Sequence, residues 1–413
     1  MRLLGHVWCM SVRFVALLAM AAPLGFSQVP ASQRPDAASS AAVSSNAFAA
    51  RIYGRLREGE GNIFFSPYSI HSALAMTCAG ARGDTEKEMT AVLQIAPGEE
   101  FHRSAGALIR ELNSARERGL ELVVANALWG QEGFAILDDY LAVVRDFYGA
   151  ELRQLDFVRA AEQARETINS WVARQTRDKI RDLLPPGVLD RFTRLVLTNA
   201  AYFKAAWTHP FQKGATRDAP FTLMSGDRVM VPMMEQEDSF GYAESESYQV
   251  LSMPYGRGEA SMLVLLPRDS SKLSEIEASL SGEKLEDICT RIQPRTVHVY
   301  LPRFEFTCQF DLKATLSALG MSSAFDAARA DFSGMTGQKD LFISAVLHKA
   351  YVRVDEEGTE AAAATAVVMK LTAAIPQEPV VFRADHPFLF LVRHKRTGAV
   401  LFMGRCANPS ARR

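Results

Sequence analysis

The sequence DEEGTEAAAATAVVMKLTAAIPQEPVVFRADHPF, residues 355–388, decides the fold of this chain. Its early part, from Gly358 to Ala366, consists almost entirely of small side chains, and Glu360 is its single charge. The alanine run favours a helix by propensity, whereas the segment from Thr365 to Val368 favours a strand. Neither structure is clearly preferred, so the segment is predicted to serve as a loop that can later become a strand.

If the segment forms a strand, its side chains alternate between two faces. One face is small and then apolar, so it could enter a sheet between two existing strands without a steric clash. Gly358 in front of it has the backbone freedom of a hinge. The composition alone also fits a flexible, low-complexity linker, and only the flanking sequence decides between the two. The face in question carries Thr359, Ala361, Ala363, Thr365, Val367 and Met369.

The flanks of this stretch resemble the serpin family, in the form of a bacterial-like, secreted member. VDEEGTEAAAATA and the closing FRADHPFLFLVRHKRTGAVLFMGRCANP are similar to the hinge, the reactive-centre loop and the final strands of a serpin. The resemblance covers nearly the whole chain after about residue 46. It implies an α+β serpin fold, with one large domain over residues 46–413 and a reactive-centre loop exposed at about 356–380. It also implies about three β-sheets and about eight to nine helices.

The resemblance gives particular residues a role in loop insertion. Two of them, Glu356 and Arg303, form a charged pair that, if exposed, adds little stability. His348 lies on an alternating strand, where an ordinary hydrogen-bonded core histidine is the simplest interpretation. The hinge comprises Glu356, Glu357, Gly358, Thr359, Glu360, Ala361, Ala362, Ala363, Ala364 and Thr365. The shutter, where the main sheet must part, comprises Ser66, Ser69, Asn199 and His348. The breach, at the top of that sheet, comprises Trp207, Arg303 and Glu356.

The resemblance implies an irreversible suicide inhibitor of serine proteases, with cysteine proteases as a further option. The protease cleaves the loop and stays attached through its acyl bond. The loop then enters the main sheet as a new strand and traps the protease. The alternative is a non-inhibitory serpin that acts as a carrier, storage or chaperone protein. The intact hinge argues against this alternative, because non-inhibitory members commonly have a spoiled one.

The position of the scissile bond sets the expected class of target protease. Counting from the hinge places it at Thr372–Ala373, and counting back from Phe382 gives the same bond or one to two residues later. A Thr or Ala before the cut suits the small pocket of an elastase- or subtilisin-like protease. Cleavage after Leu371 would favour a chymotrypsin-like target, and cleavage after Lys370 a trypsin-like one.

The N-terminus has the pattern of an export signal. Arg2 and Arg13 precede the apolar run FVALLAMAAPLGFS, which predicts a secretory signal peptide over residues 1–27, with cleavage after Ser27 or, as a second candidate, after Ala21. A short membrane anchor fits less well because the run is short. Residues 28–45 are rich in Ala, Ser, Pro and Gln and predict a disordered lead-in. The expected localisation is secreted, either extracellular or periplasmic.

The remaining sequence shows no catalytic constellation. GxSxG and HExxH do not occur, and the His residues are scattered, so we expect no enzyme, no metal site and no cofactor. A net charge of −1 gives no reason to expect nucleic acid or a membrane as partner. The expected partner is a target serine protease, and the chain is expected to be a monomer that can polymerise by loop insertion. The cysteines after Cys9 are predicted to be core residues.

Overall fold

The computed structural model describes residues 36–115, 120–359 and 378–411. The predicted signal peptide and the predicted scissile bond both lie outside these ranges. The helices are α1 Ala37–Leu56, α2 Pro67–Cys78, α3 Gly83–Leu93, α4 Glu99–Ala115, α5 Asp138–Tyr148, α6 Phe157–Gln175, α7 Leu273–Ala278, α8 Gly282–Thr290, α9 Lys313–Ala318 and α10 Ser333–Thr336. The strands are β1 Ile63–Phe65, β2 Glu121–Gln131, β3 Leu152–Leu155, β4 Leu195–Ala206, β5 Arg217–Thr222, β6 Arg228–Glu244, β7 Tyr248–Tyr255, β8 Ala260–Pro267, β9 Gln293–Pro302, β10 Phe304–Asp311, β11 Ile343–Val354, β12 Gly358–Thr359, β13 Val380–Arg383, β14 Phe388–His394 and β15 Val400–Cys406.

The main sheet has six strands in the order β10-β11-β12-β4-β2-β3. Its two central strands, β4 and β11, run parallel and pair directly with each other from Leu195 to Tyr202 on β4. Helix α6 covers one face, where Ile168 and Val172 pack with Val196 and Leu347. Because both faces of the main sheet are covered, β4 is buried along most of its length, and its sequence is an almost continuous apolar run.

The second sheet has nine strands and covers the other face of the main sheet. Its order is β1-β15-β14-β8-β7-β6-β9-β13, with β5 paired to β6. Aromatic side chains join the two sheets: the ring of Phe64 stacks on Phe402 at 5.0 Å, and Phe402 lies 6.0 Å from Phe203 of β4. The molecule therefore has the α+β architecture of one large domain that the resemblance implied.

The number of sheets and helices differs from the prediction. The described residues form two sheets instead of about three, because β6 is seventeen residues long and pairs in turn with β5, β9 and β7. Strand β6 thereby links β5, β7 and β9 into one sheet, where a shorter strand would leave them in separate sheets. The same residues form ten α-helices instead of eight to nine, and the additional ones are short, α10 having four residues.

Two predictions near helix ends are wrong. The disordered lead-in predicted over residues 28–45 is helical from Ala37 onwards, because Asp36 caps α1 by accepting a hydrogen bond from the Ser39 backbone N–H at 2.8 Å, and alanines of the first turns are buried. The amphipathic pattern from Glu162 to Leu184 predicts one long helix that ends in a turn at Pro185–Pro186. Helix α6 instead ends at Gln175, and Arg177 and Asp178 then adopt positive φ angles of 50° and 60°. The residues up to Leu184 form a loop over the main sheet.

The cysteines of the described residues carry free thiols. Cys78 and Cys406 are buried, as predicted for core residues, and burial raises the pKa of the Cys78 thiol to about 12. Cys289 and Cys308 are half-buried. None of the helices in the described ranges has the length and apolar character needed to cross a membrane.

Candidate functional site

The hinge is already inserted into the main sheet by two residues. After β11 the chain turns at Asp355–Gly358, and β12 returns antiparallel between β11 and β4. In this register Thr359 faces Val354 of β11 and Ala205 of β4. The Thr359 side chain is 1% exposed, and its hydroxyl lies 2.6 Å from the Tyr255 hydroxyl in the core. Insertion has therefore begun at the top of the seam between β4 and β11.

Glycine is required at the entry to this seam. The φ angle of Gly358 is +151°, a backbone conformation that residues with a side chain rarely adopt. A Cβ atom on this residue would lie 2.2 Å from the carbonyl oxygen of Ala205 and 2.7 Å from the Cα of Ala206. Both are backbone atoms of the central strand β4, so they cannot move away without distorting that strand. The hinge thus depends on Gly358 both for its conformation and for its close approach to β4.

Trp207 holds the turn at the start of the hinge. Its indole N–H donates to the carbonyl of Asp355 at 2.9 Å, and its backbone N–H donates to the carbonyl of Glu357 at 2.9 Å. The indole ring stacks on Tyr255 with a centroid distance of 4.4 Å. Since Tyr255 also contacts Thr359, the two aromatic residues form a platform under the inserted hinge. The structure thus brings Trp207, one of the predicted breach residues, into contact with the turn and with Tyr255.

The pair of Glu356 and Arg303 has one buried member, Glu356, and one partly exposed member, Arg303. Glu356 is 2% exposed, and its carboxylate accepts hydrogen bonds from Arg303 Nε at 2.7 Å, from Arg303 Nη2 and from the Thr216 hydroxyl. Burial raises the pKa of Glu356, but the hydrogen bonds from Arg303 and Thr216 outweigh it and hold the pKa below its usual range. The condition under which the pair would add little stability, exposure of both groups, is therefore not met at Glu356, and removing Arg303 would leave a buried charge unpaired.

The four predicted shutter residues meet in one hydrogen-bonded cluster. His348 is fully buried, and its Nε2 accepts the backbone N–H of Ser66 at 3.1 Å. Its Nδ1 therefore carries the proton and donates to Asn199 Oδ1. The amide of Asn199 in turn donates to the Ser69 hydroxyl at 2.6 Å. Burial lowers the pKa of His348 to about 3, so the ring is neutral with a defined tautomer.

Sequence reasoning missed a fifth member of this cluster, Asn126 of β2. Its Oδ1 accepts from Asn199 Nδ2 at 2.5 Å and from the Ser69 hydroxyl at 2.9 Å, and its own amide donates to the Ser69 carbonyl. Asn126 lies directly opposite Asn199 in the β2–β4 register. An asparagine inside the apolar run VVANALW was the available signal. We call Ser66, Ser69, Asn126, Asn199 and His348 the shutter network.

The shutter network ties helix α2 to the strands that must separate. Ser66 caps α2, where its hydroxyl accepts the Ser69 N–H and donates to the carbonyl of Leu401 at 2.7 Å. Asn126, Asn199 and His348 belong to β2, β4 and β11. Because Asn199 and His348 are direct partners in the β4–β11 register, no other residue lies between them. Parting the seam must break the hydrogen bond that joins their side chains.

The far end of the predicted loop is anchored in the other sheet. β13 pairs in parallel with β9, so that Val380 faces Val297 and Arg383 faces Tyr300. Phe382 is fully buried, and the Arg383 guanidinium lies 3.5 Å from the centroid of the Tyr300 ring. The hinge residues from Glu360 to Thr365 and the bond Thr372–Ala373 lie outside the described residues, which end at Thr359 and resume at Glu378.

Comparisons with known proteins agree on one family. The family model described as serpin (serine protease inhibitor) matches residues 43–409. Mouse leukocyte elastase inhibitor A is 43% identical over 88% of this chain and 97% of its own length, and the human leukocyte elastase inhibitor is 42% identical over the same shares. The crystal structure of uncleaved ovalbumin has a TM-score of 0.81 at 33% identity, covering 89% of this chain and 99% of ovalbumin. Native protease nexin-1 with heparin has a TM-score of 0.81 at 33% identity, covering 91% of this chain and all of the other.

These relatives correct the predicted localisation. Leukocyte elastase inhibitors are intracellular serpins without a signal peptide, so the comparison overturns the secreted localisation, extracellular or periplasmic, that was predicted from the first residues. An N-terminal run of basic and apolar residues was the only basis for that prediction. Residues 1–35 lie outside the described ranges.

Proposed function

Because this chain belongs to the serpin family and is a serine protease inhibitor, we propose that it traps an elastase-type protease by inserting its cleaved loop between β4 and β11. Serpins act as inhibitors of proteases and are not themselves catalysts. The observation that carries the proposal is the start of β12 inside the seam, with Thr359 paired to both neighbouring strands. We propose the hinge, shutter and breach roles for the residues named above on the same basis.

The observed register predicts where each loop residue would lie after insertion. Thr359 faces Val354 and Ala205. In antiparallel pairing, six residues further along the inserted strand, Thr365 would face His348 and Asn199, six residues back on each neighbour. His348 and Asn199 already face each other in the present register. The two central strands can therefore accept the new strand by moving apart sideways, without sliding along each other.

Insertion would also place a hydroxyl where the shutter network loses a bond. Opposing residues on neighbouring strands share a face, so the Thr365 side chain would point to the same side as His348 and Asn199. Its hydroxyl can accept the proton of His348 Nδ1 and donate to Asn199 Oδ1. The hydrogen bond broken by insertion would thus be replaced by two. This gives the polar residues of the shutter network a function in the inserted state as well.

The inserted segment is long enough to carry a protease the length of the main sheet. From Thr359 to Thr372 it has about 14 residues, which span about 46 Å at 3.3 Å per residue. A compact domain of this size is about 50 Å across. A protease attached through Thr372 would therefore travel from one end of the domain to the other. Displacement on this scale can distort its active site before the acyl bond is hydrolysed.

The proposed target follows from the residue before the cut and from the relatives. Thr372 has a small side chain that suits the pocket of an elastase- or subtilisin-like protease, and the relatives carry the name leukocyte elastase inhibitor. Leu371 would direct the same loop to a chymotrypsin-like protease, which is the second candidate. No observation favours the non-inhibitory alternative. We further propose a monomer that can polymerise when the loop of one molecule enters the seam of another.

The test is incubation with elastase-, subtilisin-, chymotrypsin- and trypsin-like proteases, followed by SDS gels and mass spectrometry. We expect an SDS-stable complex with the elastase- or subtilisin-like enzyme and a released peptide that starts at Ala373. A peptide starting at Thr372 or Leu371 would move the bond to Leu371 or Lys370 and change the target class. Cleavage of the loop without any complex would defeat the proposal.

A substitution in the hinge separates insertion from cleavage. Thr359→Arg would bring a charge to a side chain that is 1% exposed, at a cost of several kcal/mol. The variant should be cleaved at the same bond as the wild type but form no stable complex. Thr359→Ser keeps the hydroxyl beside Tyr255 and serves as the matched control, which should form the complex. An Arg variant that inhibits as well as wild type would show that trapping does not use this seam.

A further inference from the structure

A cleft of about 680 Å³ follows the β10 edge of the main sheet. β10 is the outermost strand on this side of the described sheet, and its residues 307–310 line the cleft. The loop 176–184 after α6, which we call the strap, borders one side, and the end of α1 with the residues up to Ile63 borders another. A concave site of this volume is large enough for a small organic ligand. We call it the edge cleft.

Part of the lining of the edge cleft is apolar. It is formed by Leu56, Ile63, Cys308 and Phe310. The ring of Phe310 is held in place because it stacks on the ring of His348, with centroids 6.4 Å apart and planes 12° apart. A fixed apolar lining favours the hydrocarbon part of a ligand, since contact with it removes apolar surface from water.

Another part of the lining is the half-buried ammonium group of Lys349 on β11. Its Nζ donates to the strap carbonyls of Arg181 at 2.8 Å and Asp182 at 3.5 Å. Both acceptors are neutral, and no carboxylate of the described residues forms an ion pair with this ammonium. Burial lowers the pKa of Lys349, and the charge of Asp182 offsets only part of this shift. A half-buried cation that lacks a counter-ion is stabilised when an anion binds beside it.

Charges of both signs surround the Lys349 ammonium. The other charged residues that line the edge cleft are Glu60, Asp178, Lys179, Arg181 and Asp182. Asp178 is already paired with the Arg181 guanidinium at 3.4 Å. The three carboxylates belong to exposed residues, where water and salt screen their charge. The half-buried part of the cleft therefore favours a negative charge beside Lys349.

We infer that the edge cleft binds an amphipathic anion, in its simplest form a medium-chain alkyl carboxylate. The carboxylate accepts a hydrogen bond from the Lys349 ammonium, which has three N–H donors and bonds to two strap carbonyls. The alkyl chain lies along Phe310 and Ile63. This binding does not depend on the proposed function.

The bound ligand also opposes the parting of the seam, a consequence that rests on the proposed function. Leu183 of the strap belongs to the same core cluster as Val196 of β4 and Leu347 of β11, so the strap lies across the seam. A carboxylate between the Lys349 ammonium and the Arg181 guanidinium fastens the strap to β11. The rate of complex formation with the target protease should therefore fall, while the position of cleavage stays the same.

The test of binding is the alkylation rate of Cys308 by iodoacetamide, followed by peptide mass spectrometry. Cys308 lines the edge cleft and carries a free thiol, and Cys289, which is also half-buried but lies on α8 outside the cleft, is the control in the same chain. With decanoate at ten times the Kd measured by calorimetry, alkylation of Cys308 should slow about tenfold and that of Cys289 should not change. Decan-1-ol, which lacks the charge, and acetate, which lacks the chain, should protect Cys308 far less.

Substitutions of Lys349 test the role of its charge. Lys349→Met keeps the length of the side chain and should weaken decanoate binding by about 10- to 100-fold. Lys349→Arg retains a cation and should keep most of the affinity. Lys395→Met removes a cation from the exposed turn between β14 and β15, away from the cleft, and should bind decanoate like wild type.

The results that overturn the inference are specific. Equal affinity of Lys349→Met and wild type overturns it, and so does protection by decan-1-ol or acetate as strong as that by decanoate. Absence of protection by decanoate in a protein that still forms the covalent protease complex overturns the inference and leaves the proposed function intact. Protection in a protein that forms no covalent complex with any protease tested defeats the proposed function and supports the binding site.

Discussion

Replacing Thr365 by Val tests the proposed insertion register most directly. Valine keeps the shape of threonine and removes the hydroxyl. In the uncleaved protein His348 and Asn199 bond to each other, so the shutter network does not need this hydroxyl. After insertion, Thr365 would separate the two side chains and supply their new partner. The substitution should therefore leave the uncleaved state unaffected and destabilise the cleaved, inserted state.

The expected magnitude follows from the groups left without a partner. Valine at position 365 would leave two buried polar atoms unpaired, His348 Nδ1–H and Asn199 Oδ1, at about 1–3 kcal/mol each. The inserted form should therefore lose about 2–6 kcal/mol of unfolding free energy. If the activation free energy of insertion rises by about half of this loss, the rate of insertion falls by about 5- to 150-fold. More of the acyl-enzyme would then hydrolyse, and more inhibitor would be consumed per protease trapped.

The assay compares wild type, Thr365→Val and Thr365→Ser. Unfolding by heat and guanidinium is followed for the uncleaved and cleaved forms, and the stoichiometry of inhibition is measured with an elastase-type protease. The Ser variant keeps the hydroxyl and should behave like wild type in both measurements. The reasoning is refuted if the cleaved Val variant is as stable as the cleaved Ser variant. It is equally refuted if the uncleaved Val variant is less stable than the uncleaved wild type.

Two further predictions address the breach and the shutter. Gly358→Ala would place a Cβ 2.2 Å from the Ala205 carbonyl oxygen, so it should lower the unfolding free energy of the uncleaved protein by about 1–3 kcal/mol and change the fluorescence of Trp207. Gly214→Ala, with nothing within 4 Å of its Cβ, is the control, and equal effects of the two changes would contradict the close approach at Gly358. His348 has a pKa of about 3 in the fold and about 6.5 when unfolded, so the unfolded state binds the extra proton and stability should fall as the pH drops from 6.5 towards 3, by up to about 4 kcal/mol. His348→Gln should flatten this pH dependence, although His71 and His102, with pKa values of about 4, keep part of it; parallel curves for the two proteins would show that His348 does not titrate in this way.

The sequence predicted the elements that depend on local composition, and its motifs predicted the family to which the chain belongs. The four predicted shutter residues meet in the structure, and Trp207 lies under the hinge. What it could not predict depends on contacts between distant segments. The burial of Glu356 follows from Thr216, just before β5, and Arg303, between β9 and β10, which both donate hydrogen bonds to its carboxylate. The membership of Asn126 in the shutter network follows from a β2–β4 register that no local pattern encodes.

Some of the wrong predictions came from competing local signals. The alanines and serines before residue 46 predict disorder by composition, yet alanine also has the highest helix propensity, and Asp36 supplies the cap that starts α1. The sequence keeps its amphipathic pattern beyond Gln175, as far as Leu184, and therefore predicts a longer helix. There the fold uses the apolar residues Ile180, Leu183 and Leu184 to bury a loop on the main sheet instead. Periodicity alone cannot distinguish these two outcomes.

The polar character of the shutter network has a consequence for the choice of insertion register. An apolar pair at the positions of Asn199 and His348 would accept any small residue of the loop between them. The polar pair requires a hydroxyl, and Thr365 is the single hydroxyl residue between Glu360 and Lys370. A slip of one residue in either direction would place an alanine there, and a slip of two would place Ala363 or Val367. Each slip leaves two buried polar atoms unpaired, at about 1–3 kcal/mol each, so the network favours one register. The same hydroxyl is present in the loop of a second molecule, so this selection does not protect against polymerisation.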